Sequence, residues 1–193
     1  MSYDSILSSI TGLLIIVSGV SFSGKTTLAK GLGRKYYYQV LSMDKYKVDV
    51  YDEYGFENEY ERKILLETAR NMFQADIIKH ARIGRSFIVE CSFDKTWQEF
   101  FNYLVNKYDY NTLIINCSSR SFEDIWKSRV ESDSLCTDEH KCLTASKYIK
   151  GKVYENNGRL NDIYKFEKKR EYDEGKYTSL QGDLVITDAD LLG

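Results

Sequence analysis

Proline is absent from all 193 residues, and the 16 tyrosines are as conspicuous as that gap. Both features read as a compositional bias of the source and identify no site. Cysteine is scarce, and four residues do not make a disulfide framework in a chain this size. Cys91 and Cys117 each close a short apolar run, where a thiol serves as a small core hydrophobe. The compartment therefore reads as reducing and cytoplasmic. Long hydrophobic runs are missing too. The stretch 13–17 is far too short to span a bilayer, and no basic segment precedes it, which reads against a signal peptide or a membrane partner. Charge of one sign is also lacking: the net charge of -2 exerts no global pull toward nucleic acid. There is no repeat, linker or low-complexity tract, so residues 1–193 read as a single domain. With 42% hydrophobic residues the chain can bury a real core.

What is present alternates. Residues 12–18, Gly-Leu-Leu-Ile-Ile-Val-Ser, form a continuous apolar run of the kind that suits a strand buried on both faces. A helix is predicted over 25–36 and a weak strand over 38–42. A long helix is predicted over 58–82, with Ile64, Leu65, Ala69, Met72, Phe73 and Ile77 at helical spacing. Strands at 85–91, 112–117 and 183–187 alternate with helices at 95–107 and 121–130, the latter opened by Ser121 and Asp124 in an S-x-x-D capping pattern. Polar helices are predicted at 139–155 and 161–171. Five strand–helix alternations predict an α/β fold: three layers, α/β/α, around a five-stranded, mostly parallel sheet, with a helical lid around 131–155. In such sheets ligands sit beyond the carboxyl ends of the strands.

One of those ends carries a motif. Gly19-Val-Ser-Phe-Ser-Gly-Lys-Thr26 matches G-x-x-x-x-G-K-[ST] at every position, with the buried strand before it and the helix after it that the motif requires. Its glycines let backbone N–H groups approach phosphate, and the following helix presents its positive end. Gly19, Ser21, Ser23, Gly24, Lys25, Thr26 and Thr27 are the candidate nucleotide-binding residues. Lys25 would reach the outer phosphates, and the Thr26 hydroxyl would meet Mg2+. The bland alternative is a glycine turn that merely joins strand to helix. Asn106-Lys-Tyr-Asp109 has the letters of a guanine-reading motif but ends a helix rather than a strand, so it reads as accidental.

Phosphotransfer needs more than phosphate binding. Asp44, just after the second strand, could accept a proton from an acceptor hydroxyl, with Lys47 one turn on; Asp44 could equally cap the next helix. Glu90 ends the third strand, where an acid can hold magnesium-bound water or the acceptor, or simply bond nearby backbone. Arg129 lies near a helix end, where its fork could clamp a phosphoryl group or only offset the helix dipole. Cys136, His140 and Cys142 lack the fourth ligand of a zinc site. Lysines 141, 147, 150 and 152 read as a solvated helix face. Tyrosines between 46 and 60, with Phe93 and Trp97, could line an aromatic acceptor pocket, although ordinary packing is the commoner use.

Taken together, these residues resemble the small P-loop kinases of the AAA-type ATP-binding group, related to polynucleotide 5′-kinase domains, zeta toxins and chloramphenicol phosphotransferase. The resemblance implies transfer of the γ-phosphoryl group of ATP, with Mg2+, to a hydroxyl. Met43-Asp-Lys-Tyr-Lys47 resembles the family's D-D-x-R segment, which implies Asp44 as base and Lys47 in the arginine's place. It implies Lys25, Asp44 and Arg129 as catalytic residues, Asp44, Lys47 and Glu90 as acceptor-side residues, and Thr26 and Glu90 at the metal. Residues 185–188, Val-Ile-Thr-Asp, resemble a closing strand near the base. Residues 132–140 are acidic where such lids carry arginine, leaving Arg129 and Lys141 to screen the phosphate. The first expectation is a small-molecule or nucleotide kinase. A polynucleotide 5′-kinase is the second, and the acidic run 49–53 reads against it. A nucleotide-binding regulatory module with weak ATPase activity is the third, and a toxin-like kinase acting on a sugar nucleotide the fourth. The oligomeric state is not legible in the sequence.

Overall fold

The protein is described from a computed structural model, which covers residue 7 and residues 11–135, 141–155 and 158–192. Five strands make one parallel sheet: β1 (Leu13–Ser18), β2 (Gln39–Ser42), β3 (Phe87–Glu90), β4 (Asn111–Asn116) and a last strand, β7 (Leu184–Thr187), in the order β2-β3-β1-β4-β7. The chain leaves β1 toward β2 and leaves β4 toward β7, so the connections diverge at the β1–β4 pair. That is where an open α/β sheet leaves a crevice.

The apolar run of β1 explains its place at the centre. Leu14 and Ile16 face one side with Phe87, Val89 and Ile114, under Phe73 and Ile77 of α3 (Glu59–Ile83) and Phe101 and Leu104 of α4 (Gln98–Tyr108). Leu13, Ile15 and Val17 face the other with Ile88, Leu113 and Ile115, against Ala29 and Leu32 of α1 (Lys25–Tyr36). Alternate residues thus enter two separate cores, each fully buried side chain contributing about 1.5–3 kcal/mol. Among the described residues no helix is long and apolar enough to cross a membrane.

Helix α3 starts where its cap dictates. The Asn58 side chain accepts the Glu61 N–H at 3.0 Å, while the Glu61 carboxylate accepts the Glu57 N–H at 2.7 Å. Its buried stripe is narrower than the apolar spacing suggests. Ala69, Phe73, Ile77 and Ala81 form the seam at four-residue steps, whereas Ile64 and Met72 lie off it in solvent.

Two elements depart from the expectation. Helix α2 (Met43–Tyr54), of which the sequence suggested only the turn from Asp44 to Lys47, follows β2 directly and packs through Met43, Val50 and Tyr51. The polar helix expected at 139–155 is corrected by the structure. After α5 (Phe122–Leu135), among the described residues up to 155 only α6 (Lys141–Thr144) is helical, and an antiparallel hairpin of β5 (Lys147–Ile149) and β6 (Val153–Glu155) follows. Tyr148 pairs with Phe56 through backbone N–H···O bonds of 2.8 Å in both directions, and its hydroxyl donates to Asp52 at 2.6 Å. Cys142, Ala145 and Tyr148 bury against Tyr51 and Phe56. This pins the 141–155 segment to the α2–α3 side. Helix α7 (Gly158–Asp173) is longer than expected, and α8 (Asp188–Leu192) follows the last strand.

Candidate active site

The carboxyl ends of the five strands lie side by side, because Ser42 pairs with Glu90, Glu90 with Val17, Ser18 with Asn116 and Asn116 with Thr187. The phosphate loop leaves this edge after Ser18. Gly19 sits at φ +138°, and a Cβ there would lie 2.6 Å from the Cys117 carbonyl oxygen, so both conformation and space demand glycine. Gly24, at φ +96°, would set a Cβ into open space in front of the first turn of α1. Helix α1 begins with no side-chain cap and no acid in that turn, so its positive end faces the same space. The Ser23 hydroxyl is buried without a hydrogen-bond partner in the loop wall. An open, uncapped, positive cradle with an orphaned hydroxyl fits a phosphate chain.

Lys25 is 7% exposed and donates to the Val20 carbonyl of its own loop at 2.7 Å. Burial lowers its pKa, and the Glu90 carboxylate opposes that most strongly. Glu90, 2% exposed, accepts from the Ser42 hydroxyl at 2.5 Å, and the Thr26 side chain lies beside it. Burial pushes the Glu90 carboxyl above its ordinary range, and Lys25, Ser42 and Thr26 pull it only part of the way back. Thr26 and Glu90 therefore present two oxygen ligands together, a set that suits Mg2+ held mainly by phosphates and water. Among the described residues no group of three metal-ligating side chains forms. Cys136 and His140 lie outside the described residues, and Cys142 is buried in the hairpin contact.

A pH dependence follows in metal-free buffer. With its folded pKa raised, Glu90 favours the fold fully below about pH 4.5, its ordinary value, and that favour is lost as pH rises through the folded value. Glu90→Gln is therefore expected to melt above the wild type at pH 8, with the gap closing as pH falls toward 4.5. A gap that is constant or reversed in thermal melts would refute the assignment of burial as the dominant influence.

Asp44 lies in the first turn of α2, with Ser42 at the cap position, so Asp44 is not itself the cap. It is half-exposed and accepts from the Lys47 ammonium at 2.8 Å. Burial alone would lower the Lys47 pKa, but Asp44 and its neighbours outweigh burial and hold it above the usual value. Farther along the same side, Tyr51 feels both Lys47 and Arg62, whose Nε is buried without a hydrogen-bond partner. Phe93 and Trp97 are core residues, so the aromatic acceptor pocket drawn from them is corrected to packing.

The other flank of the loop is cationic. Arg129 is buried, its guanidinium 5.2 Å from the Phe22 ring and 4.0 Å from the Tyr164 ring of α7. Arg120, missed in the sequence, donates to the Phe22 carbonyl at 3.0 Å and to the Ser128 hydroxyl at 2.5 Å. Lys168, also missed, lies 5.4 Å from the Tyr164 ring and donates to Glu171 at 2.6 Å. Arg129 and Lys141 are thus not alone in offering positive charge: Arg120 and Lys168 stand on the same flank, while the side chains of 132–141 lie outside the described residues. Asp188 holds the turn after β4, accepting the N–H groups of Ser118 and Ser119 at 3.0 and 3.1 Å. Lys25, Thr26, Asp44, Lys47 and Glu90 gather on one side of the loop, and Arg129 stands on the other. Ser21 faces the Tyr164 hydroxyl, and Thr27 is exposed on α1. Asn106–Asp109 ends α4 ahead of β4, at the opposite edge of the sheet.

A candidate kinase from Chloroflexus aurantiacus J-10-fl superposes with a TM-score of 0.61 at 24% identity, covering 66% of this chain and 70% of that one. A chain of the PezAT chromosomal toxin–antitoxin system of Streptococcus pneumoniae gives 0.54 at 15% identity, covering 95% and 71%. What the chain shares with these two structures is the α/β fold, a five-stranded parallel sheet flanked by helices. Adenylate kinase 2 of Plasmodium falciparum (isolate 3D7) is 29% identical over 110 residues, 57% of this chain. The match spans 37% of that relative's length. No family model matches the chain.

Proposed function

We propose that this chain is a Mg2+-dependent phosphotransferase that moves the γ-phosphoryl group of ATP to a hydroxyl of a small molecule or nucleotide. The observation that carries the reading is the meeting of Lys25 and Thr26 with Glu90, Asp44 and Lys47 at one sheet edge, beside a cradle shaped for phosphate. Lys25 and the loop N–H groups hold the outer phosphates. Asp44 takes the proton of the acceptor hydroxyl, whose oxygen bonds to the γ-phosphorus as the bond to the β–γ bridging oxygen breaks and ADP leaves. Thr26 and Glu90 would hold Mg2+, which neutralises charge on the phosphates. Lys47 and Arg129 approach from opposite flanks of the loop, where the transferring group is most negative. The acceptor would lie along α2, with its far end toward Tyr51 and Arg62.

The test is ADP release with Mg2+ across four acceptor classes: nucleosides, sugars, aminoglycoside-like antibiotics and 5′-hydroxyl oligonucleotides. One class is expected to raise turnover at least tenfold over water, a roughly 1.4 kcal/mol preference. ATP bound with no stimulation by any class would turn the reading toward a nucleotide-binding module, and stimulation only by oligonucleotides toward a polynucleotide kinase.

A further inference from the structure

Resting on that reading, we propose that Tyr164 is a positioning residue for Arg129, clamping its guanidinium between two aromatic rings against the phosphate loop. Arg129 is the arginine that the transferring phosphate needs, yet it stands on a long flexible stem. Two rings take up that freedom. The Tyr164 ring lies 4.0 Å from the guanidinium carbon, and the Phe22 ring 5.2 Å from it. Phe22 belongs to the loop itself, held at φ +66°, a left-handed conformation that a phenylalanine rarely takes. Backbone strain at a loop tip marks a position fixed by its surroundings.

Tyr164 is in turn tied to the loop. Its hydroxyl faces the Ser21 side chain, one residue before Phe22. The Trp126 ring lies 6.5 Å from it, three residues before Arg129 on α5. Lys168, one turn farther along α7, approaches the same ring at 5.4 Å. A planar guanidinium suits this slot because it can stack on a ring by its face. An ammonium cannot stack in that way. The α7 helix thereby joins the site through one side chain that stands against loop and arginine together.

The clamp's effect is expected in the transition state and not in ground-state binding. The probe is ADP with Mg2+, with and without aluminium fluoride, whose complex mimics the transferring phosphoryl group. Titration calorimetry of the wild type is expected to show aluminium fluoride tightening ADP binding at least tenfold. In Tyr164→Leu that gain should fall about tenfold, with affinity for ADP alone within about twofold. Tyr164→Phe keeps the ring and should retain most of the gain. Arg129→Lys should lose it in the wild-type background and lose nothing further beside Tyr164→Leu, because the two residues act as one unit. If the wild type binds ADP but gains nothing from aluminium fluoride, phosphoryl transfer is refuted. If the wild type gains and Tyr164→Leu gains equally, the clamp is refuted. An equal loss in Tyr164→Phe and Tyr164→Leu would also overturn it, since the hydroxyl tie and not the stack would then matter. Should Tyr164→Leu fail to fold, Tyr164→Phe paired with Phe22→Leu decides the same question from the other ring.

Discussion

Replacing Lys25 by methionine is expected to abolish the stabilisation that ATP with Mg2+ gives the wild type, while leaving the apo fold nearly as stable. A ligand at a hundred times its dissociation constant adds about 2.7 kcal/mol. In a chain of this length that is a rise of roughly 5–10 °C in melting temperature. The variant should rise by no more than about 1 °C. The physical reason lies in where the ammonium sits. It is buried, so burial disfavours its charge, and Glu90 compensates in part. Triphosphate brings the anion that this cation lacks. Methionine fills the same volume, and the loss of the 2.7 Å bond to the Val20 carbonyl should shift the apo melt by only a few degrees. Equal ligand-induced shifts in both proteins, measured by thermal melts, would remove the loop as the triphosphate site.

Asp44→Asn is expected to separate binding from chemistry. A positioned general base is worth roughly 10²–10⁴-fold in rate, so turnover should fall by that factor while ATP affinity stays within about threefold. Asparagine keeps the shape of the first turn of α2 but cannot take a proton. It also removes the carboxylate that holds Lys47 protonated against burial. Asp44→Glu should recover part of the rate, since the longer carboxylate can still reach a hydroxyl from the same turn. Wild-type turnover in Asp44→Asn, measured with the acceptor that stimulates best, would dismiss Asp44 as the base.

The parts of this molecule legible in its sequence are the local ones. Residues 13–18 are apolar without interruption because β1 is covered on both faces, and Gly19 follows at once because the Cys117 carbonyl leaves no room for a Cβ. The cap at Ser121 is written in adjacent residues, and the Asp124 N–H does bond the Ser121 hydroxyl at 3.1 Å. The extent of α2 beyond its first turn was hidden because its segment mixes valines and tyrosines with charges, and only the packing of Met43, Val50 and Tyr51 settles it as a helix. The β5–β6 hairpin has three-residue strands, too short to show a period, and it is anchored by Phe56, far away in sequence.

The site divides the same way. Glu90 ends a strand, Asp44 lies two residues past one, and Lys25 and Thr26 open the helix after the loop that leaves β1, so strand assignments place them at the carboxyl edge. Arg120 has the same signal, three residues past Cys117, and could have been found by asking what else ends a strand. Tyr164 had no such signal. It meets Ser21 and Arg129 only through the path of α7, and among 16 tyrosines nothing local distinguishes it.

The central claim, that the terminal phosphoryl group leaves ATP for an organic hydroxyl, is tested most directly by tracing that group. The protein is incubated with γ-labelled ATP, Mg2+ and a small-molecule extract of cells, and the labelled products are separated from ATP and inorganic phosphate. The expected result is a labelled organic phosphate that forms with the wild type, falls with Asp44→Asn and is absent with Lys25→Met. Label recovered only in ATP and inorganic phosphate, at equal levels in all three proteins, would contradict it.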